Sequence, residues 1–321
     1  MAKVASVSFW FRRLCVLKEI VTHQFSRLKA ACIKFHVSKQ VVYWTRKGVF
    51  PVEIRSQHGM GAKLTWSLAV LCYCQEKNLI PQFRFSTREA KRGEDFFGSY
   101  FITTPSSLNS KSRFIRIQDL SQLGFSKDYH KNLDIETASR LVGKHFVPQP
   151  ELWEEVNQFV QSHFDLGGML GVHYRGTDKS TEAPFVGYEN VLRNIDYALH
   201  KYASLKKVFI TTDDHHFIEF MKSSPLAERI CLREDSFRSS DGVAIHGRSD
   251  VDPYGTNRDA VVNMLILTRC AFLIKTASFL SSLSILYNPA IPYMMLNQPF
   301  GDKLWFPERE LIKNASLVPV K

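Results

Sequence analysis

Between residues 168 and 296 the chain repeats one arrangement, a short continuously apolar run followed by a stretch of helical periodicity. The runs lie at 168–174, 207–212, 229–233, 271–275 and 291–296. Unbroken apolarity, rather than alternation, is what a strand needs when both faces of its sheet are covered. Between the runs, Val191, Ile195, Ala198, Leu199 and Tyr202 share one helix face near 187–204, and Val261, Leu265 and Thr268 share another over 259–269. Strands alternating with helices at these lengths predict a parallel, doubly wound α/β sheet. The N-terminal half is less regular. It reads as a strand at Val52–Arg55, a helix at Ala62–Glu76, strands at Gln82–Phe85 and Phe114–Ile117, and a loop-like stretch from Thr87 to Lys111 containing Gly93, Gly98 and Pro105. A chain of 321 residues with 45% apolar content exceeds one typical core, so two α/β units are expected.

Charge is concentrated at one end. Residues 1 to 50 carry ten Lys and Arg against one acid, Glu19, so all but two units of the formal net charge of +11 lie there. A nucleic-acid enzyme needs basic residues around its site, whereas this body is nearly balanced, and no nucleic-acid partner is expected. Leu14, Leu17, Val21, Phe25, Leu28, Cys32 and Phe35 step by three or four, giving the arm a helix with an apolar stripe and basic flanks. Such a helix suits an anionic membrane surface, met peripherally through residues 1–40; the alternatives are a stripe docked on the body and an ordinary solvated helix. No apolar run reaches spanning length and no signal-peptide pattern stands near the start, so the expected location is the cytoplasm, with contact at the inner membrane surface. Six cysteines without a secretory signal imply no disulfide framework; Cys72 and Cys74, in a helical apolar run, read as buried thiols. Asp250 and Asp252 form a D-x-D inside a Gly/Asp/Pro-rich loop, 246–257, and read as turn chemistry rather than as metal ligands.

The first strand of the C-terminal series ends in the residues from which a site is expected. Met169, Leu170, Val172 and Tyr174 run directly into His173, Arg175, Thr177, Asp178, Lys179 and Glu182. Ligands of open α/β sheets bind beyond the carboxyl ends of the strands, so this polar cluster lies where a substrate is expected. An arginine there offers bidentate contact to phosphate and keeps its charge. A carboxylate there can accept a proton from an attacking hydroxyl.

The stretch H-Y-R-G-T-D-K-S-T-E-A-P-F, His173 to Phe185, resembles the H-x-R-x-T-D-K…E-A motif of the α1,6-fucosyltransferase superfamily, which includes rhizobial nodulation-factor and animal core fucosyltransferases. Lys207 to Asp214, K-V-F-I-T-T-D-D, is similar to the family's strand ending in T-D-D. Asp259 to Ser284 resembles its helix, strand and serine-rich turn, and His58 to Ala69 resembles the glycine loop and helix of its first domain. The resemblance is dense from about 165 to 298 and sparse between about 90 and 165.

The resemblance implies a GT-B type fold of two Rossmann-like domains facing a cleft. It places a basic arm at 1–47, an acceptor-side domain at 48–165 and a nucleotide-sugar domain at 166–321. The implied activity is inverting, metal-independent transfer of fucose from GDP-fucose to a glycan or lipid-linked oligosaccharide hydroxyl, with no cofactor beyond the donor substrate. Arg175 matches the arginine on the β-phosphate, and Ser278 a serine that also serves the phosphates. Gly59 and Gly61 match the loop that brings the first domain's backbone against the pyrophosphate, and His173, Asp213, Asp214, Asp259 and Asn263 fall on the donor side. Glu182 aligns with the candidate general base. Asp178 is its competitor, although the family pairs that residue with Lys179 as supports of the loop. Two positions depart from the pattern. Gly176 stands where core fucosyltransferases carry a second arginine, and Asn263 replaces an aspartate, leaving Asp259 one helical turn earlier to read the base. If neither reaches the base, a different nucleotide sugar is the alternative donor, and a non-catalytic sugar-nucleotide or glycan-binding protein is the other.

Overall fold

The computed structural model describes residues 30–87, 95–103, 114–125, 129, 131–164, 168–177, 179–245, 248 and 250–320. The stripe from Leu14 to Leu28, Asp178 and the side chain of Lys179 lie outside them.

The described chain opens with a helix over 30–46, α1. There follow β1 (Val49–Arg55), α2 (Met60–Glu76), β2 (Ile80–Ser86), α3 (Phe96–Tyr100), β3 (Ile115–Ile117), α4 (Ile135–His145) and α5 (Pro150–His163). The second half runs β4 (Gly168–Tyr174), α6 (Tyr188–Lys201), β5 (Leu205–Thr212), α7 (His215–Lys222), β6 (Ile230–Cys231), α8 (Pro253–Leu267), β7 (Phe272–Lys275), α9 (Phe279–Tyr287), β8 (Tyr293–Met295) and α10 (Glu308–Leu311). All strand pairs are parallel, in a three-stranded sheet β2-β1-β3 and a five-stranded sheet β6-β5-β4-β7-β8. Each sheet begins at an inner strand, winds outward and then crosses back. The direction of winding therefore reverses between β1 and β3 and between β4 and β7, and such a reversal leaves a crevice at the carboxyl ends of the strands.

Alternation along the larger sheet divides its two faces. Leu170, Val172 and Tyr174 of β4 pack with Val191 and Ile195 of α6 and Phe217 of α7. The opposite face joins a larger core that runs from Val52 and Ile54 of β1 through Leu64 and Leu68 of α2 to Leu265 of α8 and Leu283 of α9. The two sheets thus share one apolar interior. Tyr254, in the first turn of α8, adds a polar tie, exchanging a hydrogen bond with Ser99 at 2.5 Å and accepting one on its carbonyl from Tyr100 Oη at 2.7 Å.

Among the boundaries that differ from the sequence-based expectation, two have a local account. β1 starts at Val49 rather than Val52, although Pro51 lies within it; β3 pairs only with Val52–Ile54, so at Pro51 the strand has a neighbour on one side alone. α8 starts at Pro253, six residues before the expected 259, because Asp252 caps it by accepting from Tyr254 N at 2.9 Å and Gly255 N at 2.8 Å. Asp250 accepts from Arg248 at 3.0 and 2.8 Å, so both carboxylates of the D-x-D are bonded within the loop. Among the described residues no helix is long and apolar enough to cross a membrane.

Candidate active site

Both crevices open onto one cleft of about 870 Å³. At its floor the exits of β4 and β7 are stitched together. Arg175 N donates to Thr276 Oγ1 at 2.9 Å, and Thr276 N donates to His173 O at 3.0 Å. The Arg175 guanidinium is aimed by Asp213 at the end of β5, its Nε lying 2.8 Å from Oδ2. The same carboxylate accepts from Thr177 Oγ1 at 2.6 Å and from Gly176 N at 3.2 Å, so Asp213 organises the whole 175–177 turn. His173, 4% exposed, and Asp213 both line the cleft.

Two helices begin on this cleft without a side-chain cap, α2 behind Gly59 and α9 behind Ser278. They approach so closely that a Cβ on Gly61 would lie 2.8 Å from Leu280 N and 3.1 Å from its Cα. Only glycine admits that contact. The first N–H groups of a helix have no acceptor within it, and the helix dipole adds positive potential there. Two uncapped helix starts and an oriented guanidinium give one end of the cleft the character of an anion site.

The turn that carries Ser278 is held from behind. Ser278 N donates to Glu308 Oε1 at 2.7 Å, and Ala277 N to Asn297 Oδ1 at 2.7 Å. Glu308 is paired with the fully buried Lys275, whose Nζ lies 2.9 and 3.1 Å from its carboxylate oxygens. Sequence reasoning missed Lys275, Asn297 and Glu308. The last two lie in an aperiodic polar tail, and no local spacing links them to residues some twenty and thirty positions away.

Glu182 lines the same cleft, on the loop after a short 3₁₀ turn at Lys179–Thr181, and its carbonyl accepts from Phe300 N at 2.8 Å. Lys303 and Trp305 continue that wall. Farther along, Asp259 and Asn263 of α8 also face the cleft, but they are engaged with Arg233. Asp259 takes an ion pair from Arg233 on Oδ1, a bond from Ser236 Oγ at 2.9 Å, and one from Phe237 N on Oδ2 at 3.3 Å. Asn263 Nδ2 donates to Ser236 Oγ and Asp259 Oδ1, each at 3.2 Å. Burial pushes the Asp259 carboxyl above its usual range while Arg233 pulls it down.

Asp214 is not brought to the cleft. Its Oδ1 caps α7 through His216 N at 3.0 Å and Phe217 N at 3.4 Å, and its Oδ2 accepts from Tyr188 Oη at 2.7 Å. Arg175, Glu182, Ser278, Gly59, Gly61, His173, Asp213, Asp259 and Asn263 do meet around it.

No protein-family model matches the chain, and no curated protein matches it in sequence. Among solved structures it is similar to the NodZ alpha-1,6-fucosyltransferase soaked with GDP-fucose, with a TM-score of 0.50 at 17% identity over 78% of this chain and 99% of that one. It is also similar to a mutant of Arabidopsis thaliana FUT1 in complex with GDP (TM-score 0.46, 13% identity, 80% of this chain and 73% of that one) and to the apo form of POFUT1 (0.46, 11%, 76% and 97%). The NodZ match extends over nearly the whole of that enzyme, and the two chains share a fold.

Proposed function

We propose that this chain is a glycosyltransferase that moves fucose from GDP-fucose to a hydroxyl of a glycan or lipid-linked oligosaccharide, with inversion and without a metal. The observation that carries the reading is the meeting of two uncapped helix starts and Arg175 at one end of a cleft that Glu182 also lines. As the bond from the anomeric carbon to phosphate oxygen breaks, negative charge gathers on the departing diphosphate, where Arg175, the Ser278 turn and the Gly59–Gly61 loop receive it. Preorganised donors of that kind are worth about 2.7–4 kcal/mol each. The acceptor oxygen forms its bond to the same carbon from the opposite face, and its proton passes to the Glu182 carboxylate. Asp213 keeps the guanidinium in place, and Asp178 and Lys179 support the loop. In this reading the two sheets belong to two Rossmann-like domains, 48–165 and 166–321, in a GT-B arrangement, and the similarity to an enzyme soaked with GDP-fucose supports it.

One observation favours a different nucleotide. Asn263 and Asp259 are bonded to each other and to Arg233, so a guanine reaching α8 meets a carboxylate already neutralised. A thermal-shift panel of GDP, UDP, ADP and CMP with EDTA present, followed by turnover with the matching sugar, decides between them. GDP is expected to stabilise the protein by about 2.7 kcal/mol at about 100 Kd. A shift with UDP and none with GDP defeats the fucose reading, and loss of the shift in EDTA defeats metal independence. A protein that binds GDP but releases none from GDP-fucose is a binding protein. We also assign the basic N-terminal arm to contact with an anionic membrane surface. In support, the visible end of its stripe is not docked: Cys32 is exposed and Phe35 is 63% exposed.

A further inference from the structure

We propose that Asn297 is a positioning residue whose single amide ties the diphosphate-binding turn to the loop carrying Glu182, so that donor seating and proton acceptance are set together. The proposal rests on the functional reading above.

Asn297 lies two residues beyond β8 and lines no part of the cleft. Its Oδ1 accepts from Ala277 N at 2.7 Å and its Nδ2 donates to Pro184 O at 2.7 Å. A backbone N–H can only donate and a carbonyl only accept, so these partners fix which way the amide points. Ala277 precedes Ser278 in the turn that opens α9, and Pro184 is two residues past Glu182. The neighbouring bonds follow the same plan. Leu296 N donates to Lys275 O at 2.8 Å, Phe300 N to Glu182 O at 2.8 Å, and Ser278 N to Glu308 Oε1 at 2.7 Å. The C-terminal segment from 296 to 308 therefore holds both functional loops, and the Asn297 side chain bonds to both. The task demands an amide. Aspartate retains the acceptor for Ala277 N–H and has no donor for Pro184 O, whereas alanine has neither.

That asymmetry supplies the test. Amide hydrogen exchange is measured without ligand on peptides covering 274–280 and 180–188, for wild type, Asn297→Asp and Asn297→Ala, alongside steady-state transfer and hydrolysis of GDP-fucose. Asn297→Asp is expected to speed exchange in 180–188 alone. Its transfer kcat should fall by about tenfold or more, since small misplacements of a reacting group carry large rate costs, with the donor KM little changed. Asn297→Ala should speed exchange in both peptides and raise the donor KM as well. Unchanged exchange in either peptide of Asn297→Ala, or wild-type transfer by Asn297→Asp, overturns the proposal. If wild-type protein neither binds GDP nor turns over, the functional reading fails by itself, and the exchange measurements still decide whether Asn297 couples the two loops.

Discussion

At Gly176 the surroundings leave no room for the second arginine that core fucosyltransferases carry at the matching position. A Cβ there would collide with Asp214 Oδ2 and come within 2.7 Å of Tyr174 Cε1. Asp214 cannot retreat, because it caps α7 and takes the Tyr188 hydroxyl, and Tyr174 is 1% exposed. In the proposed reading the cationic duty at the β4 exit therefore falls on Arg175. Replacing it by lysine keeps the charge and loses both the contact of Nε with Asp213 and the planar fork. Arg175→Lys is expected to lower kcat by about tenfold or more with an unchanged melting temperature; turnover near wild type would make Arg175 a surface ion-pair residue. Sequence could place Arg175 at a strand exit but could not sort the two aspartates of T-D-D. Which one turns to the cleft depends on where α7 begins, and its N-cap is known only once the backbone is.

At the scale of elements, β4, β5 and β7 were legible because strands covered on both faces are apolar over most of their length, and that pattern survives without knowledge of their neighbours. The start of α8 was not, since an Asp-Pro pair followed by glycine serves a turn and a helix N-terminus equally well. α2 holds a residue whose burial is costly. Lys63 is 1% exposed, with Nζ 5.6 Å from the centroid of Phe96, and burial lowers its pKa from 10.5 to about 8. Below pH 8 both folded and unfolded chains hold the proton, and the folded one bears a cost of roughly 3 kcal/mol. Between 8 and 10.5 the unfolded chain binds more protons, so this group makes stability rise with pH across that window. Lys63→Met is expected to raise the urea midpoint at neutral pH and to remove that rise. A variant as pH-dependent as wild type would mean that Lys63 is not titrating there.

Across the whole molecule, the apolar interior joins both sheets, so the cleft is a seam over a common core rather than a gap between independently cored bodies. Wide opening would have to expose that core, and an interface of this kind resists relative motion. The described basic residues of the arm, Lys34, Lys39, Arg46 and Lys47, are exposed and line no part of the cleft. α1 docks through Val37, which is 2% exposed, together with Val41 and Trp44, while Phe35, Val42 and Tyr43 stay exposed and Lys39 and Lys47 sit 4.3 and 5.9 Å from the ring centroids of Phe35 and Tyr43. An outward face of aromatic and basic side chains suits the interface of an anionic membrane. Deleting residues 1–29 removes six of the ten basic residues of the first fifty and spares the docked turns of α1. The truncated protein is expected to keep its nucleotide-induced thermal shift and to bind phosphatidylserine vesicles more weakly, by about 1 kcal/mol for each basic residue that had lain near the surface. The difference should fade as added salt brings the Debye length below about 10 Å. If truncation instead abolishes the thermal shift and leaves vesicle binding as it was, the arm is part of the catalytic body and the membrane assignment is wrong.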